Sequence, residues 1–135
     1  MKYTIIGIYG FADFENWESS LCSNVIGTVE DLKEAKKLVI QDAKEILQQD
    51  FFYYVDPDED LESAADFVDI DVDEDEEISE AKENKIRKAF DKKLTDEAKE
   101  CLEFKKKIGK DHIFAEGYYC DDSTERIIYL AVPTN

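Results

Sequence analysis

The sequence has little of what most catalytic sites require. It contains one histidine, five glycines, two prolines and three cysteines in 135 residues. The histidine, His112, and Cys120 lie on one predicted strand, roughly 26 Å apart at about 3.3 Å per residue, so they cannot form a dyad. The cysteines show no CxxC spacing, and no glycine-rich phosphate loop is present. The sequence therefore predicts no enzyme, no catalytic residue, no cofactor and no metal site.

Long apolar runs are also missing. No stretch approaches the roughly 18 to 20 consecutive apolar residues of a membrane helix. The first residues, MKYTIIGIYGFADFENWE, place acidic side chains directly after a short apolar run, which is not the pattern of a signal peptide. An odd number of cysteines favours free thiols in a reducing compartment. We therefore expect a cytoplasmic protein, of its own cell or of a host cell, with no membrane partner.

Basic residues are absent from one long stretch of the chain. No lysine or arginine occurs between Lys44 and Lys82, and residues 51–80 contain 14 acidic residues. The whole chain has 34 acidic and 17 basic residues, which gives a net charge of −17. A charge of this size serves solubility or a cationic partner. The length predicts one domain over residues 1–135, with 51–80 as a strongly acidic segment within it.

The hydrophobic patterns predict an α+β domain. Residues 2–9 are apolar on both faces, which is typical of a strand in the middle of a sheet, and Gly10 is expected to end it. Helical spacing predicts a helix over 28–47 with Thr28 as its N-cap. Residues 112–133 predict two strands joined by a turn at 121–124. We expect a mixed or antiparallel sheet of about four strands, with two or three helices packed on one side.

The acidic segment contains a clear alternation. Val68, Ile70 and Val72 fall on one face of an extended chain, and Asp69, Asp71 and Asp73 fall on the other. The period of two predicts a strand over 67–73 with a row of carboxylates on its outer face.

A helical region is expected to follow the acidic segment. Ser79 is a candidate N-cap for a helix that runs to about Leu94. Thr95 is a second candidate, for a segment that continues to Gly109. The pattern leaves open whether this region is one helix or two.

Part of the acidic run resembles a calcium-binding loop. Asp69, Asp71, Asp73 and Glu80 occupy EF-hand ligand positions, but the sixth position, which requires glycine, holds Glu74. The sequence does not predict an EF-hand. Weak binding of divalent cations to clustered carboxylates stays as an alternative.

The favoured functional hypothesis is mimicry of nucleic acid. Same-face residues of a strand lie about 6.6 Å apart, close to two nucleotides at about 3.4 Å each. Carboxylates on a rigid scaffold would then occupy the basic groove of a nucleic-acid-binding protein or nuclease, without direct binding of nucleic acid by this chain. By analogy of charge and size, the concrete version is a viral anti-defence inhibitor such as an anti-CRISPR or anti-restriction protein. The predicted partner-binding residues are Asp56, Asp58, Glu59, Asp60, Asp69, Asp71, Asp73, Glu74, Asp75, Glu76 and Glu77.

Other interpretations of these features stay open. The acidic segment could be a solvated face, could pair with the basic stretch 82–110, or could belong to an acidic protein-interaction module unrelated to mimicry. Phe14 and Trp17 recur at helical spacing and favour core packing, with a partner-binding aromatic anchor as the alternative. A homo-oligomer is compatible with all of these hypotheses.

Overall fold

A computed structural model of the protein describes residues 2–11, 22–48, 55–73, 77–118 and 125–134. These ranges contain five strands and three helices, which confirms the α+β fold class. In chain order the elements are β1 (Lys2–Phe11), β2 (Cys22–Val29), α1 (Leu32–Ile46), α2 (Leu61–Phe67), α3 (Glu80–Cys101), β3 (Leu102–Phe104), β4 (Ile113–Tyr118) and β5 (Glu125–Thr134).

The five strands form one antiparallel sheet in the order β2-β1-β5-β4-β3. Strand β1 lies between β2 and β5, as its two apolar faces predicted. The prediction that Gly10 ends this strand was wrong, because Gly10 pairs with Arg126 and β1 continues to Phe11. The two C-terminal strands were also predicted correctly, whereas the turn at 121–124 lies outside the described residues.

Helix α1 begins later than the sequence predicted. Thr28 is not its N-cap, because Thr28 pairs with Thr4 in the sheet. Asp31 takes this role instead, since its Oδ1 accepts a hydrogen bond of 2.8 Å from the backbone N–H of Glu34. Pairing with β1 satisfies backbone groups of residues 22–29 as a strand, and this tertiary interaction overrides the local helical signal.

Helix α3 begins as predicted and runs without a break. The Ser79 hydroxyl accepts from the backbone N–H of Lys82 at 3.2 Å. Thr95 starts no second helix, because its hydroxyl donates to the carbonyl of Asp91 at 2.8 Å within α3. The predicted continuation to Gly109 was wrong: Leu102 begins β3 and pairs with Gly117 of β4.

The chain divides into two compact units, residues 1–43 with 98–135, and residues 44–97. We call them the sheet unit and the acidic unit. The sheet unit contains the five strands and most of α1, and the acidic unit contains α2 and most of α3. The prediction of a single domain stays a prediction.

Each unit has its own buried apolar residues. In the sheet unit they include Ile5, Val39, Ile127, Tyr129 and Ala131, all 0% exposed. In the acidic unit the buried residues are Leu47, Ala64, Ala65, Ile86, Phe90 and Leu94.

Gly117 of the sheet unit is required because the backbone of Cys101 comes very close to it. A Cβ atom on Gly117 would lie 1.8 Å from the carbonyl oxygen of Cys101. The contact is with backbone and cannot be relieved by a side-chain rotation, so β4 can pair with β3 here only with glycine at this position.

Among the helices in the described ranges, none is both long and apolar enough to cross a membrane.

Candidate acidic interaction surface

Residues 67–73 do not form the predicted strand. Phe67 is the last residue of α2, Val68 and Asp69 form a turn, and residues 70–73 belong to neither a helix nor a strand. The alternation of exposure nevertheless persists: Val68, Ile70 and Val72 are half-buried, and Asp69, Asp71 and Asp73 are exposed. Because no sheet fixes this segment, the argument for a rigid, strand-borne row of carboxylates is lost.

Helix α2 was missed from the sequence, although its start has a clear local signal. The Asp60 side chain accepts from the backbone N–H of Ser63 at 3.1 Å and from its hydroxyl at 2.7 Å. The hydroxyl contact, helped by the backbone contact, lowers the pKa of Asp60 below its ordinary value. This is an N-cap, and Leu61, Ala64 and Ala65 follow it at helical spacing.

Helix α2 ends in a Schellman motif. The backbone N–H of Ile70 donates to the carbonyl of Ala65 at 2.9 Å, and that of Asp69 donates to Asp66 at 3.2 Å. Asp69 occupies the left-handed position of this motif with φ 57°. Aspartate tolerates this conformation better than most residues, but less well than glycine. The backbone of Asp69 is thereby fixed at the end of a helix.

The turn before α2 is also held by hydrogen bonds. Asp56 Oδ1 accepts from the backbone N–H of Asp58 at 2.9 Å, and the Asp56 carbonyl accepts from Glu59 at 3.0 Å and Asp60 at 2.8 Å. Residues 57–59 form a turn that begins at Pro57. Asp56 therefore stabilises the turn and is half-buried, whereas Asp58, Glu59 and Asp60 are exposed.

One carboxylate of the acidic segment pairs with the chain's own basic stretch. Arg87 Nη1 lies 2.5 Å from Asp58 Oδ1, and Arg87 Nη2 lies 3.1 Å from Glu83 Oε1. The hydrogen bonds to Asp58 and then Glu83 raise the pKa of Arg87. Within the acidic unit, Asp58 thus has an intramolecular partner, although its side chain stays largely exposed.

A second basic side chain of α3 contacts α2 through the carbonyl and the ring of Phe67. Lys93 Nζ donates to the carbonyl of Phe67 at 2.8 Å and lies 4.2 Å from the centre of the Phe67 ring. The Phe67 ring in turn packs against Phe90 at 5.5 Å between centroids. Lys93 therefore ties the end of α2 to α3.

The described part of the predicted surface is exposed apart from Asp56. Glu77 is exposed, and so are Glu62 and Asp66 on α2, which the sequence had not assigned to the surface. In the ranges given above, no three histidine, cysteine or acidic side chains gather in a way that could hold a metal ion. Five predicted residues lie outside the described residues: Phe14, Trp17, Glu74, Asp75 and Glu76.

The sheet unit contains a polar cluster that sequence reasoning missed. The hydroxyls of Tyr9 and Tyr129 both donate to Asp42 Oδ2, at 2.6 and 2.7 Å. Burial, followed by the hydrogen bond to Asp42, raises the pKa of Tyr9 well above its ordinary value. Since every tyrosine hydroxyl in this cluster has its acceptor, the cluster joins α1 to β1 and β5 and is structural. The only sequence signal for this cluster is the alternation along β1 and β5, which directs Tyr9 and Tyr129 to one face of the sheet.

The chain matches no protein-family model, and neither a curated protein nor a solved structure shows significant similarity to it.

Proposed function

We propose that this chain is a non-catalytic acidic protein that binds the basic surface of a macromolecular partner through the acidic unit. In its sharpest form the partner is a nucleic-acid-binding protein or nuclease, and the carboxylates occupy the groove that otherwise holds phosphates. The most specific form of this proposal is that the chain inhibits a nuclease of a host defence system in the cytoplasm.

The observation that carries the proposal is the composition of the exposed surface between Asp58 and Asp73. Every acidic side chain in this stretch is exposed, and no lysine or arginine interrupts it. The acidic unit contains 20 acidic and 7 basic residues, so most of the chain's net charge belongs to residues 44–97. A field concentrated in this way attracts cationic surfaces and accelerates association.

Local order in the segment supports mimicry, although a capped helix and its turns hold the carboxylates instead of the strand that the sequence predicted. The turn at Asp56, the cap at Asp60 and the Schellman motif at Asp69 fix the backbone that carries the carboxylates. A fixed array loses less conformational entropy on binding than a disordered acidic tail would. The proposal therefore rests on a capped helix and its flanking turns.

A competition experiment tests this proposal. The chain is immobilised, proteins from a lysate are retained at low salt, and a short DNA duplex is then added in excess. We expect DNA and added salt each to release the retained proteins, because the carboxylates and phosphates compete for the same basic groove. If salt releases the retained proteins but DNA does not, the chain is an acidic protein-binding module, and the mimicry proposal is contradicted.

Matched charge variants show whether the acidic segment is the surface used. The test variant carries Asp66→Asn, Asp69→Asn and Asp71→Asn. The control variant carries Glu30→Gln, Glu100→Gln and Glu103→Gln, which removes the same charge from exposed positions of the sheet unit. The test variant should retain at least about tenfold less partner than the control, a difference of about 1.4 kcal/mol. Equal retention by the two variants would assign binding to net charge alone.

A further inference from the structure

One connection of the sheet unit concentrates positive charge in a chain that is otherwise strongly acidic. Residues 105–110, between β3 and β4, contain four lysines and no acidic residue. We call them the lysine loop. They hold four of the ten basic residues of the sheet unit. By contrast, the exposed Lys33 and Lys37 on α1 have Glu34 between them, so positive charge is not concentrated there.

Most of the lysine loop is exposed and free of intramolecular ion pairs. Lys105 is the exception, because its Nζ lies 2.8 Å from Glu116 Oε1 and 3.7 Å from Glu103 Oε1. The hydrogen bond to Glu116 raises the pKa of Lys105. The other three lysines are exposed, and none of the ion pairs in the described part of the chain involves them: Lys106, Lys107 and Lys110.

Hydrogen bonds hold the backbone at both ends of the lysine loop. The backbone N–H of Lys105 donates to the carbonyl of Phe114 at 2.9 Å, and that of His112 donates to the carbonyl of Gly109 at 3.1 Å. The carbonyl of His112 in turn accepts from the backbone N–H of Ala131 on β5 at 2.9 Å. The three unpaired ammonium groups are therefore carried by an ordered connection, which reduces the entropy lost when they bind an anionic surface.

The same chain carries an ordered surface of the opposite sign. The stretch from Asp58 to Asp73, which we call the acidic stretch, has eight exposed acidic residues and no basic residue. The cap at Asp60 and the Schellman motif at Asp69 fix its backbone. Ammonium groups and carboxylates form charge-assisted hydrogen bonds. Every copy of the chain thus presents both a cationic loop and a carboxylate surface that complements it.

We infer that the lysine loop of one copy binds the acidic stretch of a second copy. Such a contact is heterologous: it joins two different surfaces, so each copy keeps one of them free and association proceeds head to tail. Exposed ion pairs contribute little singly, so the association is weak and reversible. The inference does not rest on the proposed function, although both use the same carboxylates.

The salt dependence of this contact follows from two opposing effects. Two chains of charge −17 repel each other over long distances. At about 0.1 M salt the screening length is about 10 Å, so distant charges are screened more strongly than a lysine and a carboxylate in contact. At about 1 M salt the screening length is about 3 Å, and the contact pairs are weakened too. Association should therefore be strongest at moderate salt and should be lost near 1 M.

Sedimentation velocity of complementary variants is the test. The loop variant carries Lys106→Gln, Lys107→Gln and Lys110→Gln, and the acid variant is the triple asparagine variant introduced above. In about 0.1 M sodium chloride, the weight-average sedimentation coefficient of the parent should rise with chain concentration. Each variant alone should associate at least about tenfold more weakly. An equimolar mixture of the two should associate again, because the loop variant keeps its acidic stretch and the acid variant keeps its lysine loop.

The matched control carries Lys33→Gln, Lys37→Gln and Lys99→Gln, which removes the same charge from exposed positions elsewhere in the sheet unit. It should associate like the parent, and circular dichroism should show the parent's fold for every variant. A parent that stays monomeric at every concentration would overturn the inference. So would a mixture that fails to associate, an assembly that persists in 1 M salt, or a control as weak as the loop variant. Capture of basic proteins by the acidic unit affects none of these outcomes, so failure of this inference and failure of the proposed function are distinguishable.

Discussion

At the scale of single residues, the cluster of Tyr9, Tyr129 and Asp42 can lie close to the core because its polar groups hydrogen-bond to one another. Asp42 is approached by two tyrosine hydroxyls, and the rings of Tyr9 and Tyr129 pack edge to face with centroids 6.3 Å apart. Tyr129 is 0% exposed, so loss of Asp42 as its acceptor would remove a hydrogen bond from a buried hydroxyl. The cluster therefore makes α1 and the sheet mutually dependent.

The raised pKa of Tyr9 predicts loss of stability in alkaline solution. In the unfolded chain Tyr9 releases its proton near pH 10. In the folded chain burial and Asp42 keep the proton bound at higher pH. The unfolded state then binds fewer protons, so the free energy of unfolding should fall above about pH 10, by at most about 1.4 kcal/mol per pH unit from this group. Urea unfolding between neutral pH and pH 11 measures this slope.

Tyr9→Phe should reduce the alkaline slope, although it also removes a hydrogen bond and lowers stability at neutral pH by about 1 kcal/mol. Tyr118→Phe is the control, because this tyrosine is 47% exposed and away from Asp42. A slope unchanged by Tyr9→Phe would contradict the assignment of the effect to the cluster.

The close approach at Gly117 predicts a strongly destabilising substitution. A Cβ atom there would lie 1.8 Å from the Cys101 carbonyl oxygen, so Gly117→Ala must displace backbone. We expect a loss of about 2 kcal/mol or more in the free energy of unfolding. Gly109→Ala is the matched control, since its Cβ atom would meet Asp111 at 3.5 Å, an ordinary contact. Equal urea midpoints for the two variants would contradict this account.

At the scale of elements, the acidic segment is organised by the ends of α2. Asp60 caps the start of this helix with its side chain, and Asp69 adopts the left-handed conformation at its end. Few residue types other than aspartate do either well. The same side chains that make the segment acidic thus also determine its local structure.

Substitutions at Asp69 should separate backbone conformation from charge. Asp69→Gly, Asp69→Asn and Asp69→Ala all remove one charge from an exposed side chain, so differences among them reflect the left-handed φ of 57°. We expect the glycine variant to be the most stable and the alanine variant the least, by about 1 kcal/mol between them, with asparagine between. Urea midpoints measure the order. An alanine variant as stable as the glycine variant would contradict the Schellman assignment.

At the scale of the whole molecule, charge is unevenly distributed between the two units. The acidic unit has 20 acidic and 7 basic residues, and the sheet unit has 14 and 10. Repulsion among exposed carboxylates opposes folding of the acidic unit, and surface pairs such as Arg87 with Asp58 offset it only slightly. Retaining so much like charge is consistent with selection for binding over stability.

Screening should therefore stabilise this protein. We expect the thermal midpoint to rise by several degrees between low and moderate sodium chloride concentrations, because salt weakens repulsion among exposed carboxylates. The triple variant Asp66→Asn, Asp69→Asn and Asp71→Asn should start at a higher midpoint and gain less from salt. Differential scanning calorimetry measures both effects. A parent midpoint that falls or stays constant with salt would show that repulsion does not limit stability.

Patterns within short windows were sufficient for several elements. Short apolar runs, apolar on both faces, identified β1 and β5, and helical spacing together with the N-cap signal of Ser79 identified α1 and the start of α3. The location of the acidic charge follows from composition alone. These features are local, because a strand or helix with a strong hydrophobic pattern has few alternative conformations that bury it.

The tertiary structure decided what local patterns left ambiguous. Thr28 has a capping residue's signature, but pairing with Thr4 makes it part of an edge strand. The alternation at 67–73 satisfied the strand pattern, yet no sheet partner is available among the described residues, and the hydrogen bonds of Asp60 and Asp69 favour a helix and a turn instead. A strand requires a neighbour to satisfy its backbone groups, whereas a helix satisfies its own. Sequence alternation alone therefore determines which side chains are exposed, and only the fold determines whether they form a strand.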